Sequence, residues 1–359
     1  MKLFRCFLDK YKNMPVQSKA ALWFAICSMI QQGISFITTP IFSRLLTDAE
    51  YGIYGVFDSW KRIIIIFASL NLASGVYLRG IIKYEDDEEE FTASLQSLFL
   101  LLFLCVLTIY MLFSGFWNEV FEMPSIYMYC MFVDMLANVA FHFWSARQRV
   151  NFQYKALIVV TLANAIVKPA LGIIAITLYP DHITARIFTI ALADFLTFGY
   201  FFFTMFIKKG KKISTKYWKY ALNYNIPLVP HYLSSIVLNQ ADRIMIKSIC
   251  GESSAGQYTL AYTASSAMTV INQAILNTYN PWMYQQLKKK NYKAIGPYSM
   301  KLLLIVAVAN MLVIIMAPEI IFILGSEKYK DAIGVIPPVV MSVYFMFLYS
   351  LFANFEFYF

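Results

Sequence analysis

The chain has 359 residues, of which 59% are hydrophobic and only 14% charged, and its mean hydropathy of +0.58 excludes an ordinary soluble domain. Apolar segments of about 20 residues, the length that crosses about 30 Å of hydrocarbon, recur throughout, so this is an all-α polytopic membrane protein. The formal charge of +9 then reflects topology and requires no nucleic-acid partner.

Ten spans are predicted, at about 20–42, 54–78, 93–115, 125–144, 156–178, 184–206, 222–247, 257–282, 296–318 and 334–355. With a cytoplasmic N-terminus, the inner segments hold 20 Lys and Arg. The outer loops hold four: Arg44, Lys247, Lys328 and Lys330. That asymmetry sets the orientation expected in a cytoplasmic membrane. Lys19 leads into a full-length span with no cleavage site, so the first span serves as the insertion signal. The five cysteines, Cys6, Cys27, Cys105, Cys130 and Cys250, form no CxxC, and neither a disulfide framework nor a metal site is expected.

The first span carries Gln31 and Gln32 near its middle. Adjacent residues on a helix point about 100° apart, so at least one must face protein or water. The second span carries Asp58, Lys61 and Arg62 one to two turns from the outer surface. Two readings stand: the cations snorkel with Asp58 neutralising one of them, or they form the cationic wall of a cavity. The acidic run Glu85–Glu90 reads as a solvated connector.

Asp134, Lys168 and Asp194 sit near mid-membrane depth, about 15 Å from either interface. Depth pairs Lys168 with Asp194 or Asp134, as a static buried pair or a proton-coupling relay. The segment 207–220 carries six lysines and joins the two halves. It suits a topogenic linker in contact with anionic head groups.

The seventh span holds Pro227, Pro230, His231, Asn239, Gln240, Asp242 and Arg243. The prolines should kink it. So many polar groups on one span suggest an aqueous pathway, against an Asp242–Arg243 pair that merely snorkels outward. His231 and His142 lack ligand-spaced partners and read as hydrogen-bonded structural residues. On the eighth span Gln273, Asn277 and Asn280 share a face, as cavity lining or helix-to-helix hydrogen bonding.

Two self-similarities run through the chain. Gly52-Ile53-Tyr54 recurs as Gly256-Gln257-Tyr258 at an offset of 204, each read as part of a short polar loop, and Met123-Pro124 recurs as Ile336-Pro337 at 213, each where a loop meets a span. A fixed offset marks a duplicated architecture. The sequence holds no GxSxG, Walker A, HExxH or DxD set, so an enzyme is not expected, and transport would draw on a gradient or the membrane potential.

The stretch MPVQSKAALWFAICSMIQQGISFITTPIFSRLLTDAEYGIYG resembles the start of the bacterial Wzx-like oligosaccharide flippases, within the multidrug/oligosaccharidyl-lipid/polysaccharide exporter superfamily. NIPLVPHYLSSIVLNQADRIMIKSICGESSAGQYTLAY resembles their seventh span and loop, and ILGSEKYKDAIGVIPP a later outer loop. The resemblance implies two pseudo-symmetric six-helix lobes around a central cavity, here residues 1–206 and 222–359 joined by a basic linker at 207–221. It implies a lipid-linked oligosaccharide carried on undecaprenyl diphosphate as substrate, no cofactor, and membrane lipid and polysaccharide assembly proteins as partners. Lys61, Arg62 and Arg243 are the candidates for the diphosphate. A multidrug or cation antiporter and a membrane-embedded glycan polymerase are the alternatives. A polymerase would be expected to carry a large external loop, and no predicted outer loop exceeds about 16 residues. The family has twelve or more spans, so a chain with ten is expected to be incomplete, its second lobe holding four helices.

Overall fold

The computed structural model describes residues 14–206 and 213–356, and the regular structure among them is helical. Cys6, four lysines of the linker and the last three residues of the aromatic terminus lie outside these ranges. The helices are α1 (Val16–Leu45), α2 (Asp48–Ser69), α3 (Gly75–Lys83), α4 (Glu88–Leu112), α5 (Ser114–Phe121), α6 (Ser125–Val150), α7 (Tyr154–Leu178) and α8 (His182–Phe206). After the linker come α9 (Thr215–Asn225), α10 (Val229–Cys250), α11 (Glu252–Lys288), α12 (Tyr292–Ile315), α13 (Ala317–Gly325) and α14 (Ala332–Glu356).

Ten of these helices have 22 residues or more and fall where ten spans were predicted. Seven are long and apolar enough to cross a membrane; α2, α10 and α11 are not among them. Those three carry most of the candidate site residues, and their polarity is what separates them from the rest.

Local chemistry fixes the helix ends. Thr47 and Glu50 form a capping box at the start of α2. The Glu50 carboxylate accepts from the Thr47 amide at 2.7 Å, and the Thr47 hydroxyl accepts from the Glu50 amide at 3.2 Å. Gly251, at φ 90°, closes α10 and lets α11 begin one residue later.

Several expectations need correction. The second span ends at Ser69, because Leu70 and Asn71 adopt left-handed backbone, and a separate α3 follows. The acidic run is no free connector: Glu88–Glu90 form the first turn of α4, where the helix dipole favours them, and Glu88 pairs with Arg147 at 2.6 Å. Gly52 and Gly256 lie in the opening turns of α2 and α11, not in loops, and Pro337 lies inside α14. The connections 113–124 and 316–331 contain the short helices α5 and α13.

The described end of the linker is helical. Tyr217, Ala221 and Asn225 of α9 share a face and are buried, with Trp218 donating to the Ser94 carbonyl at 2.7 Å and Asn225 to the Leu70 carbonyl at 2.9 Å. Tyr217 donates to Asp87 at 3.1 Å, and burial together with that carboxylate pushes its phenol up to about 12. A turn of 3₁₀ helix at Ile226–Leu228 carries Pro227 and breaks the path into α10, where the prolines predicted a kink.

Two compact units emerge from the packing. In one, which runs to Thr38 and resumes as Val56–Ile244, α6 and α7 pack against α8, with Phe141 stacked on Phe198 and Trp144 on Phe201, each at 4.1 Å. The other comprises Thr39–Gly55 and the chain from Met245 onward, with α11 packed on α14 and α12 around Tyr279, Met283 and Phe347.

In that second unit the repeated glycines meet. A Cβ on Gly52 would stand 2.0 Å from the Glu252 carbonyl oxygen, and a Cβ on Gly256 would stand 2.0 Å from that of Asp48. Asp48 and Glu252 are separated by the same 204 residues as the glycines, so the contact is reciprocal. Only glycine permits so close a crossing. Ser253 donates to the Asp48 carboxylate beside it, and Arg44 reaches the Ile323 carbonyl in the last turn of α13 at 2.8 Å.

Candidate functional site: an intramembrane ion-pair network

On α2, Asp58, Lys61 and Arg62 lie within one turn of each other. Asp58 bonds the Arg62 Nε at 2.7 Å and lies 3.3 Å from Lys61 Nζ, so its one charge is shared between the two cations where a pairing with one was expected. Lys61 then crosses to α6, 3.0 Å from Asp134 Oδ2. Asp134 is 1% exposed while Arg62 is 56% exposed, so the chain of charges runs from a sealed interior to an open guanidinium.

The second part of the network lies among α6, α7 and α8. Lys168 pairs with Asp194 at 2.6 Å, the partner that depth alone left undecided. Asn164 donates to the other Asp194 oxygen at 2.8 Å. Asn138 joins the two parts, its amide lying 2.7 Å from Asp194 and 3.1 Å from Asp134. Each carboxylate is thus matched to a cation and an amide donor, which offsets the cost of burying it.

From α10, Gln240 and Arg243 approach α2. Gln240 Oε1 accepts from Arg243 at 2.9 Å and from Ser59, next to Asp58, at 3.2 Å. Arg243 is buried and does not snorkel outward, whereas its neighbour Asp242 is exposed. Asn239 turns back to its own helix at the Ser235 carbonyl, 2.7 Å away.

His231 sits on a span expected to be buried in the membrane as a structural residue or a coupling candidate, yet it is exposed and lines a cleft of about 180 Å³ with Tyr232, Ser235, Ser69 and Asn71. Gln31 and Gln32 are both exposed on α1. Gln273 and Asn277 belong to the second unit, where they are exposed and bonded to each other at 3.0 Å.

Asn138, Asn164 and Ser59 were missed in the sequence. The signal was there for two of them: Asn138 follows Asp134 by four residues and Asn164 precedes Lys168 by four, so each shares a face with its charge.

The model of a family described as "Polysaccharide biosynthesis protein" matches residues 18–287. The chain belongs to that family. Over 194 residues the chain is 26% identical to Lsg locus putative protein 1 of Haemophilus influenzae, a match spanning 47% of each chain, so it covers about half of that curated relative's length. Its fold is similar to the inward-facing conformation of a multidrug resistance MATE family transporter of the MOP superfamily, with a TM-score of 0.68, 15% identity and coverage of 93% of this chain and 84% of that one. A MOP superfamily transporter from Pyrococcus furiosus, whose binding pocket is described as having reversed polarity, gives a TM-score of 0.61 at 15% identity, covering 94% and 82%. Family and fold together make this a multi-pass helical membrane protein of a polysaccharide biosynthesis family, with a fold similar to that of the MATE transporters.

Proposed function

We propose that this protein moves lipid-linked oligosaccharide units across the cytoplasmic membrane, with its N-terminus cytoplasmic, by alternating access. The observation that carries the reading is Arg62. This guanidinium stands exposed on a helix too polar to be an ordinary span, is held by Asp58, and lies next to Lys61. A diphosphate needs such a planar, always-charged donor, and Arg243 with Gln240 adds a second from α10.

Lys61, Arg62 and Arg243 place three cationic side chains around Asp58 and Gln240, which supports an anionic head group as the ligand. The buried part around Asp194, fully matched by its amides, supports a static framework over a proton relay.

The experiment is genetic. In a strain lacking the gene, surface glycan should be lost and lipid-linked repeat units should build up inside the cell, and the wild-type gene should restore both. The likeness to a multidrug transporter keeps a drug or cation antiporter as the second reading. Drug hypersensitivity with normal surface glycan would decide for the antiporter.

A further inference from the structure

The polar cleft of about 180 Å³ lies within the first unit, between α2 and α10. Ser69 and Asn71 line it from the end of α2, and His231, Tyr232 and Ser235 from the start of α10. Ile65 and Ile66 give it an apolar side, and no Lys, Arg, Asp or Glu is among its lining residues. Its volume falls below the roughly 300–1,000 Å³ of sites for drug-sized ligands and suits a single polar ring.

One face of α2 ties this cleft to the cationic site. Asp58, Arg62, Ile65 and Ser69 recur at i, i+4, i+7 and i+11, so the exposed Arg62 guanidinium and the cleft share a side of the helix. Ser69 stands about 10.5 Å along the axis from Arg62. On α10, His231 and Ser235 likewise share a face with Asn239 and Asp242.

The lip of the cleft is fixed before anything enters it. Leu70 and Asn71 take left-handed backbone, at φ 45° and 53°, and Asn225 donates to the Leu70 carbonyl at 2.9 Å. The Ser69 hydroxyl accepts from the Asn71 backbone amide at 3.2 Å, and the Ser74 hydroxyl donates to Asn71 Oδ1 at 2.8 Å. Those bonds leave the Asn71 side-chain nitrogen unspent. Among the described residues neither it, nor the His231 imidazole, nor the Tyr232 and Ser235 hydroxyls bonds another protein group.

We infer that this cleft binds a sugar ring near the diphosphate end of the transported lipid while the diphosphate sits at Arg62. The inference rests on the function proposed above and adds which residues choose the sugar. A pyranose carries hydroxyls on its rim and apolar C–H groups on its faces. Amide, imidazole and hydroxyl groups set beside Ile65, Ile66 and the Tyr232 ring are its counterpart. A lining without charge suits a neutral ring and leaves the phosphates to Arg62, and fixed partners hold the ring at low entropic cost.

The test uses the full-length protein in nanodiscs of phosphatidylethanolamine and phosphatidylglycerol with two radiolabelled probes. One is undecaprenyl diphosphate alone, and the other is the undecaprenyl-diphosphate-linked oligosaccharide extracted from the source strain. Wild-type protein should bind the second more tightly. Ser235→Leu puts an apolar side chain into the cleft from an exposed position, and Asn71→Gly keeps the left-handed turn but removes the amide. Each should weaken binding of the oligosaccharide lipid about tenfold, the worth of one or two hydrogen bonds, and leave the bare lipid unchanged. Arg62→Gln should weaken both probes alike. Equal loss of both probes in the cleft variants, or loss of neither, would overturn the inference. The two readings fail separately. Cleft variants that bind both probes like wild type, from genes that restore surface glycan, sink the cleft alone. Selective loss in the cleft variants, in a protein whose wild-type gene restores no glycan, sinks the transport function alone. Wild-type protein that binds neither probe sinks both.

Discussion

Lys61 and Asp134 face each other at 3.0 Å across α2 and α6, the cation 19% exposed and the carboxylate 1%. Removing Lys61 strands Asp134 in the bilayer interior, whereas Lys61 without Asp134 keeps Asp58 at 3.3 Å. Lys61→Met should therefore destabilise the protein by about 3–5 kcal/mol, read as lower membrane abundance and a lower unfolding temperature in detergent. Lys61→Met with Asp134→Leu should regain much of that stability, because a well-packed apolar pair avoids the desolvation cost. A double variant no more stable than Lys61→Met would show that the pair does not act as a unit.

Lys168→Ala exposes the same logic at Asp194, which would keep its amide donors but lose its only ion-pair partner among those described. Abundance should fall, and Lys168→Ala with Asp194→Asn should recover it. Full abundance of the single variant would argue for a relay over a static pair.

The glycine crossing gives a sharper contrast. Gly52→Ala and Gly256→Ala each drive a methyl group to 2.0 Å from a backbone carbonyl, so each should abolish transport and reduce folding yield. Gly33→Ala, with nothing within 4 Å, should be neutral or slightly stabilising through its better helix propensity. Parallel measurement of surface glycan and membrane abundance checks all three.

Asn310 on α12 is 4% exposed, and neither its amide nitrogen nor its oxygen finds a hydrogen-bond partner among the described residues. Asn310→Leu should raise thermal stability by about 1–3 kcal/mol, the cost of an unsatisfied buried amide. A loss of stability would place a partner for that amide outside residues 14–206 and 213–356.

The ten long helices were legible because apolar runs of span length leave little choice of fold. The offset of 204 residues was legible too, as a repeat, although not that Gly52 and Gly256 would touch. Sequence depth placed Lys168, Asp134 and Asp194 at one level and could go no further. Choosing Asp194 for Lys168 and Asp134 for Lys61 depends on which faces of α2, α6, α7 and α8 meet, a tertiary fact that spacing along one helix does not contain. The break after Ser69 was hidden for a local reason: leucine at position 70 gives no sign of left-handed backbone, where a glycine would have. Exposure of His231 was likewise invisible, since its neighbours in sequence are apolar and its cleft is built partly from Ser69 and Asn71.

Arg243→Gln and Arg62→Gln remove the two guanidiniums held by Gln240 and Asp58. At normal abundance both variants should lose most glycan export, and Arg243→Lys should recover only part of it, since an ammonium lacks the two-pronged geometry. Normal export by both Gln variants would rule out the cationic site.

Transfer across the bilayer can be measured in liposomes containing the purified protein and a fluorescent oligosaccharide on undecaprenyl diphosphate. Wild-type protein should carry the label to the opposite leaflet, where a membrane-impermeant quencher reaches it, and Arg62→Gln should slow that transfer several-fold. Transfer no faster than in protein-free liposomes, together with uptake of a cationic dye by the same preparation, would rule out lipid-linked oligosaccharide transport and favour the antiporter.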